Sequence, residues 1–178
     1  MTTLTRMTLA TLLALSVAGT AFAQFDSTDA GRKFRGDYNS FHQSATYQRH
    51  AQDYSRMIYS SQVIQPAAPV AVVEKQAAAV KDNLAKSDEA LKAVKEAHAK
   101  DPEVVKLVDS ILKHHASTAS HCNMVMACCK NGDGPGKIAD CCADMHEDLE
   151  AAKKEMDALK KHLKIEELPV PKKQVSKK

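Results

Sequence analysis

Tryptophan is absent from the 178-residue chain, and aromatic residues make up only 4% of it. That argues against a protein that stacks single-stranded bases on aromatic platforms. Six glycines and six prolines are too few for an all-β protein built on tight turns. Neither sign of charge dominates: 25 basic against 22 acidic side chains leave +3, a poor match to a nucleic-acid binder. The motifs of several chemistries are missing too. There is no C-x-x-C-H for covalent haem, no H-E-x-x-H, no G-x-S-x-G, no phosphate loop and no Glu-x-x-His pair of the di-iron kind. No enzyme is expected. What is present is 44% hydrophobic residues, 26% charged residues and a mean hydropathy of -0.37, the composition of a soluble folded domain.

The beginning of the chain reads as an export address. Arg6 is followed by an apolar run from Met7 to Val17, and Ala21-Phe22-Ala23 has the small-x-small form of a cleavage site. Residues 1–23 are therefore expected to be a signal peptide. The run is too short to span a bilayer, no Cys follows it, and no stable membrane insertion is expected. A chain starting at Gln24 would carry 24 basic and 22 acidic residues, because only Arg6 is lost. The expected location is periplasmic or secreted, where thiols are oxidised unless a metal holds them.

Residues 24–164 read as one helical domain, and residues 165–178 as a basic flexible tail. All aromatic residues lie at or before Tyr59. Within about 34–62, Tyr47, Ala51, Tyr54 and Ile58 recur at helical spacing, with Phe34, Tyr38, Phe41 and Ala45 on a neighbouring stripe. Gln65 to Pro69 is a linker. In about 70–99 the seam is Val73, Ala77, Val80, Leu84, Ser87, Leu91, Val94 and His98, steps of three and four that a strand cannot produce. Asp101-Pro102-Glu103 is a helix start. The next seam is Val104, Val108, Ile111, His115, Thr118, Cys122, Val125 and Cys129. A turn at Asn131 to Gly136 leads to the last seam: Ile138, Cys142, Met145, Leu149, Ala152, Met156, Leu159 and Leu163. Three long helices of roughly 40–45 Å follow from the rise per residue. Short connections make neighbours antiparallel. The expected fold is all-α, an up-down antiparallel four-helix bundle; the alternative is a three-helix core with a loose N-terminal helical arm.

The chemistry-bearing residues are concentrated at one end of the last hairpin. His121-Cys122-Asn123-Met124-Val125-Met126-Ala127-Cys128-Cys129 precedes the turn, and Cys141-Cys142-Ala143-Asp144-Met145-His146 follows it. Outward from the turn, each arm presents a Cys pair, then Met, then His. At 1.5 Å per residue, Cys128 and Cys129 lie within roughly 3 Å of their helix end, and Cys141 and Cys142 roughly 7–9 Å into theirs. Met124 and Met126 lie at similar depth. Cys122, His121, Met145 and His146 lie roughly 12–15 Å in. The expectation is an outer tier of Cys128, Cys129, Cys141 and Cys142 and an inner tier of His121, Cys122, Met145 and His146, with Met124 and Met126 auxiliary. Thiolate and thioether select Cu(I), and thiolate with imidazole also suits Zn(II). The expected cofactor is copper(I) first and zinc second. His114 and His115 are a weaker second site; His98 and His162 sit near helix ends as solvated residues, and His42 and His50 are left outside the site.

The rival expectation is a disulfide-stapled envelope or interaction protein with no cofactor and an unidentified protein partner. Five cysteines cannot all pair within one chain, so one is free, metal-bound or bridges a homodimer, for which Cys122 is the candidate. Adjacent cysteines on a helix point about 100° apart, so two unstrained bridges are not expected. A helical bundle with Cys122, Cys128, Cys129, Cys141 and Cys142 facing inward resembles the exported copper-storage proteins of bacteria, which implies Cu(I) held by thiols. Those proteins carry many more cysteines, along all their helices. Here the thiols occupy one hairpin end, which fits sequestration, delivery or sensing better than high-capacity storage.

Overall fold

In a computed structural model the described residues are 29–64 and 69–165, with side chains from 36 onward. The expected signal peptide and the basic tail beyond Ile165 lie outside them. The chain divides into two compact units, Met1–Asn39 and Ser40–Lys178. Of the first, only the opening of helix α1 is described.

Four helices are present, and there is no strand among the described residues: α1 Asp29–Tyr59, α2 Val70–Ala97, α3 Pro102–Asn131 and α4 Pro135–His162. A π turn, Ser60–Ile64, closes α1. The expected helix start at Asp101 is present. Its carboxylate accepts from the N–H groups of Glu103 (3.1 Å) and Val104 (3.3 Å), and Pro102 takes the first helical position, where no N–H is needed. Asp101 also meets His162 Nε2 at 2.9 Å. That contact, with the Val104 N–H, holds its carboxyl below the usual carboxylate value. At the other end of α3, Gly132 adopts φ +69°, the left-handed conformation that glycine takes without strain. The Asp133 N–H then bonds Cys128 O at 2.9 Å. This tight stop, followed by Pro135, folds α4 back along α3.

Unit two is an all-α, up-down antiparallel four-helix bundle, as the seams predict. Cross-helix contacts run in opposite directions at each neighbouring pair. Between α3 and α4 they pair Ser110 with Glu155 and Cys122 with Met145. Between α2 and α3 they pair Lys81 with Asn123 and Lys95 with Asp109. Ser44 on α1 meets Ser87 on α2 and Met156 on α4. Every residue of the α3 seam is buried, and those of α2 and α4 are buried except for the half-buried His98 and Leu163. Leu91, with no exposed surface, is representative. Leu91→Ala is expected to cost about 2–5 kcal/mol through lost transfer energy and a residual cavity. The readout is a lower urea midpoint with an unchanged slope.

Helix α1 departs from its expected stripe. Its buried residues are Phe41, Ser44, Gln48, Ala51, Ser55 and Ile58, whereas Tyr47 and Tyr54 are half-buried. The reason is hydrogen bonding. Ser44 Oγ lies 2.7 Å from Ser87 Oγ, Ser87 Oγ donates to Ser44 O at 3.1 Å, and Gln48 Nε2 donates to Leu149 O at 3.2 Å. Bonded in this way, Ser44 and Ser87 occupy the interface at little cost, while the Gln48 amide is satisfied at Nε2 only. The larger tyrosine rings sit at its margin, where Lys86 Nζ lies 5.7 Å from the Tyr47 ring centre.

Candidate metal centre

Sulfur collects where α3 and α4 face each other. Cys122, Cys129, Cys141, Cys142 and Met145 are all buried in one apolar cluster with Val73, Ala77, Val80, Val125, Ile138 and Leu149. Met126 and Cys128 pack against its edge. The helical repeat explains the selection. Cys122 and Cys129 lie on the continuous inward seam of α3, seven residues apart. Cys142, Met145 and Leu149 continue the seam of α4, and Cys141 adds a second inward position beside Cys142.

The thiols form a connected path. Cys128, half-buried next to the turn, lies beside Asp133 and within electrostatic reach of the Cys141 thiol across the hairpin. Cys142 lies within electrostatic reach of Cys129 and Cys141, and Cys122 within reach of Cys142. Cys122 Sγ meets Met145 Sδ at 4.0 Å. All five cysteines are free thiols. Burial pushes Cys122 and Cys142 up to about 12. Burial, followed by neighbouring thiol and carboxylate charge, raises Cys128, Cys129 and Cys141 as well. Lys81 pulls Cys122 down and Lys137 pulls Cys128 down, but burial outweighs both, so the metal-free pocket favours the protonated thiol.

The imidazoles expected beside these sulfurs lie elsewhere. His121 turns into a separate groove of about 400 Å³ lined by His114, Ser117, Asp144, Glu147, Asp148 and Ala151. There the Asp148 carboxylate stands between two rings, with Oδ1 3.2 Å from His114 Nδ1 and Oδ2 3.8 Å from His121 Nε2. Asp144 approaches His121 Nδ1 at 3.6 Å. His146 is exposed on the opposite flank of α4, and Met124 points to solvent with 47% of its surface exposed. One helical residue is a turn of about 100°. Residues directly beside the seam therefore share its height but not its direction. At the depth of the expected inner tier, Cys122 and Met145 face the apolar cluster and His121 and His146 do not, and Met126 packs against it where Met124 is exposed.

His114 and His115 likewise diverge. His115 is buried, with Nδ1 2.6 Å from Asp88 Oδ1 on α2, and its Nε2 is buried without a partner. Gln48 Oε1 is in the same condition. His98 is half-buried at the end of α2, and His162 contacts Asp101. His50 is exposed beside Tyr47, and His42 packs edge-on against Phe41 with ring centres 5.6 Å apart.

Among the described residues, no set of three or more His, Cys, Asp or Glu side chains is arranged to hold one metal ion. No described helix is long and apolar enough to cross a membrane. Compared with protein-family models, with curated proteins and with solved structures, the chain matches none.

Proposed function

We propose that this protein is an exported carrier of Cu(I), which it holds in the sulfur cluster between α3 and α4 for sequestration, delivery or sensing. The observation that carries this reading is the burial of four thiols and a thioether in one cluster, with a fifth thiol at its edge. Softness of the donors selects Cu(I) over harder ions. Coordination number favours it further. Tetrahedral zinc asks for four N, S or O donors around one point, and the described His, Cys, Asp and Glu residues supply no such set. Cu(I) is satisfied by two thiolates, or by two sulfurs and a thioether, which paired thiols on facing helices and Met145 can supply. Zn(II) is therefore second.

A disulfide-stapled protein without a cofactor is the second reading, favoured by the proximity of Cys128 and Cys141 across the hairpin. Thiol titration of the protein as isolated, with and without reductant and chelator, separates the two. The copper reading expects five titratable thiols after chelation without reductant, and uptake of Cu(I) under anaerobic conditions. Thiols that appear only after reduction, with no metal uptake afterwards, would establish the stapled protein instead.

A further inference from the structure

Buried thiols need a route to solvent if cargo is to reach them. Cys142 is 4% exposed, yet it forms part of the wall of a groove of about 350 Å³ between α1 and α4. The other lining residues are Ser55, Arg56, Tyr59, Ala143 and His146. Cys142 is also the junction of the cluster, in reach of Cys129 and Cys141 on one side and Cys122 on the other. His146 follows Cys142 by four residues, one turn along the same helical face, where two side chains can share a ligand. Its neighbour Glu147 lines the other groove, so the wall around His146 and Cys142 carries no carboxylate. Its charge comes from Arg56, whose one contact is a loose 3.9 Å approach to Asp53 with both side chains about 60% exposed.

We infer that this groove is the entrance to the cluster. In it, Cu(I) arrives as an anionic thiolate complex, is met at the mouth by Arg56 and His146, and passes to Cys142. This rests on the reading of the cluster as a Cu(I) site. The transfer is a ligand exchange. The bond between Cu(I) and the donor sulfur breaks and a bond to Cys142 Sγ forms. The Cys142 thiol proton leaves with the displaced donor thiolate, and copper keeps its oxidation state. Imidazole is a suitable intermediate ligand because it binds Cu(I) less firmly than thiolate does and so releases it inward. Arg56 selects the donor: a positive mouth attracts a negatively charged complex and repels a cationic one. The competing route runs through half-buried Cys128 beside the turn. Cys128 neighbours only Cys129 and Cys141 among the thiols, at the end of the path farthest from Cys122.

The test is anaerobic stopped-flow loading of the full chain from the Cu(I) complex of glutathione, followed by thiolate-to-copper absorption. Ala143 is exposed, so Ala143→Phe can fill the groove without entering the core, and a melting curve checks that it folds. Ala143→Phe and His146→Ala are each expected to slow loading on the order of tenfold, at the low end of what access and steering contribute to association. The copper content reached at equilibrium stays the same. Arg56→Gln is expected to slow loading from glutathione but not from the cationic thiol cysteamine. A metal-free readout accompanies these: Ala143→Phe should slow alkylation of Cys142 by iodoacetamide while leaving Cys128 alkylation unchanged. Wild-type rates of both loading and Cys142 alkylation in Ala143→Phe would overturn the entrance and leave the site standing. So would slowed loading in Cys128→Ala with normal loading in Ala143→Phe. A wild-type chain that takes up no Cu(I) would overturn the site itself, whatever the alkylation pattern.

Discussion

Cys142→Ala is expected to weaken Cu(I) binding by more than the roughly 10–100-fold that loss of an outer-shell partner typically costs. Cys142 is a proposed direct ligand and the thiol through which Cys122 connects to Cys129 and Cys141. Its removal thus takes a donor and divides the remaining sulfurs into two groups. Alanine is the suitable replacement, because a serine hydroxyl here would be buried without an assured hydrogen bond. Two controls give the result its meaning. His121→Ala alters a ring that faces Asp144 and Asp148 instead of sulfur, and is expected to leave the affinity unchanged. Met124→Ala, on a solvent-facing side chain, should do the same. Competition against a Cu(I) chelator reads all three. Equal losses in Cys142→Ala and His121→Ala would mean that the ligands are not the buried sulfurs.

Cu(I) uptake should also depend steeply on pH. Cys122 and Cys142 titrate at about 12, so both carry protons across the whole neutral range. Each thiol that becomes a thiolate ligand must release its proton. The apparent affinity then rises about tenfold per pH unit for each such thiol, or about a hundredfold per unit for a pair. Acid weakens binding and base strengthens it. Even a thiol at the ordinary 9.0 stays mostly protonated up to pH 8, so over this range the slope counts the protons released on binding. Chelator competition between pH 6 and 8, corrected for the chelator's own protonation, gives the slope directly. A flat profile would mean that the thiols are already ionised or that they do not bind the metal.

Much of the fold was legible because α2, α3 and α4 carry their cores as mostly apolar seams, interrupted only at positions such as Ser87, His115 and Thr118. Steps of three and four through Val104, Val108, Ile111 and Val125 leave a helix one face to bury. The seam of α1 was not legible from hydrophobicity. Ser44, Gln48 and Ser55 are buried there because Ser87 and the Leu149 carbonyl receive the first two, and partners on other helices are invisible to a local pattern. The same distinction governs the site. Cys122, Cys129, Cys142 and Met145 fall on seams, and their burial in one cluster follows from that. His121, Met124 and His146 share the depth of these sulfurs but not their direction, because depth along the hairpin carries no information on rotation about the helix axis. The pairing of His114 and His121 with Asp148 did have a sequence signal. Two imidazoles seven residues apart on α3 lie opposite a carboxylate-rich face of α4, Asp144, Glu147 and Asp148.

The short residues along α1 set how firmly each wall of the bundle is held. From Ser40 onward this helix buries Phe41, Ala51 and Ile58 but otherwise meets its neighbours through Ser44, Gln48 and Ser55, which fix alignment and bury little apolar area. The facing surfaces of α3 and α4 are joined by valine, leucine, isoleucine, methionine and sulfur. Strain therefore falls first on the seam beside α1, as on a shutter hung from light fittings. That shutter stands over Cys142, so the wall nearest this thiol is the more lightly fastened of the two.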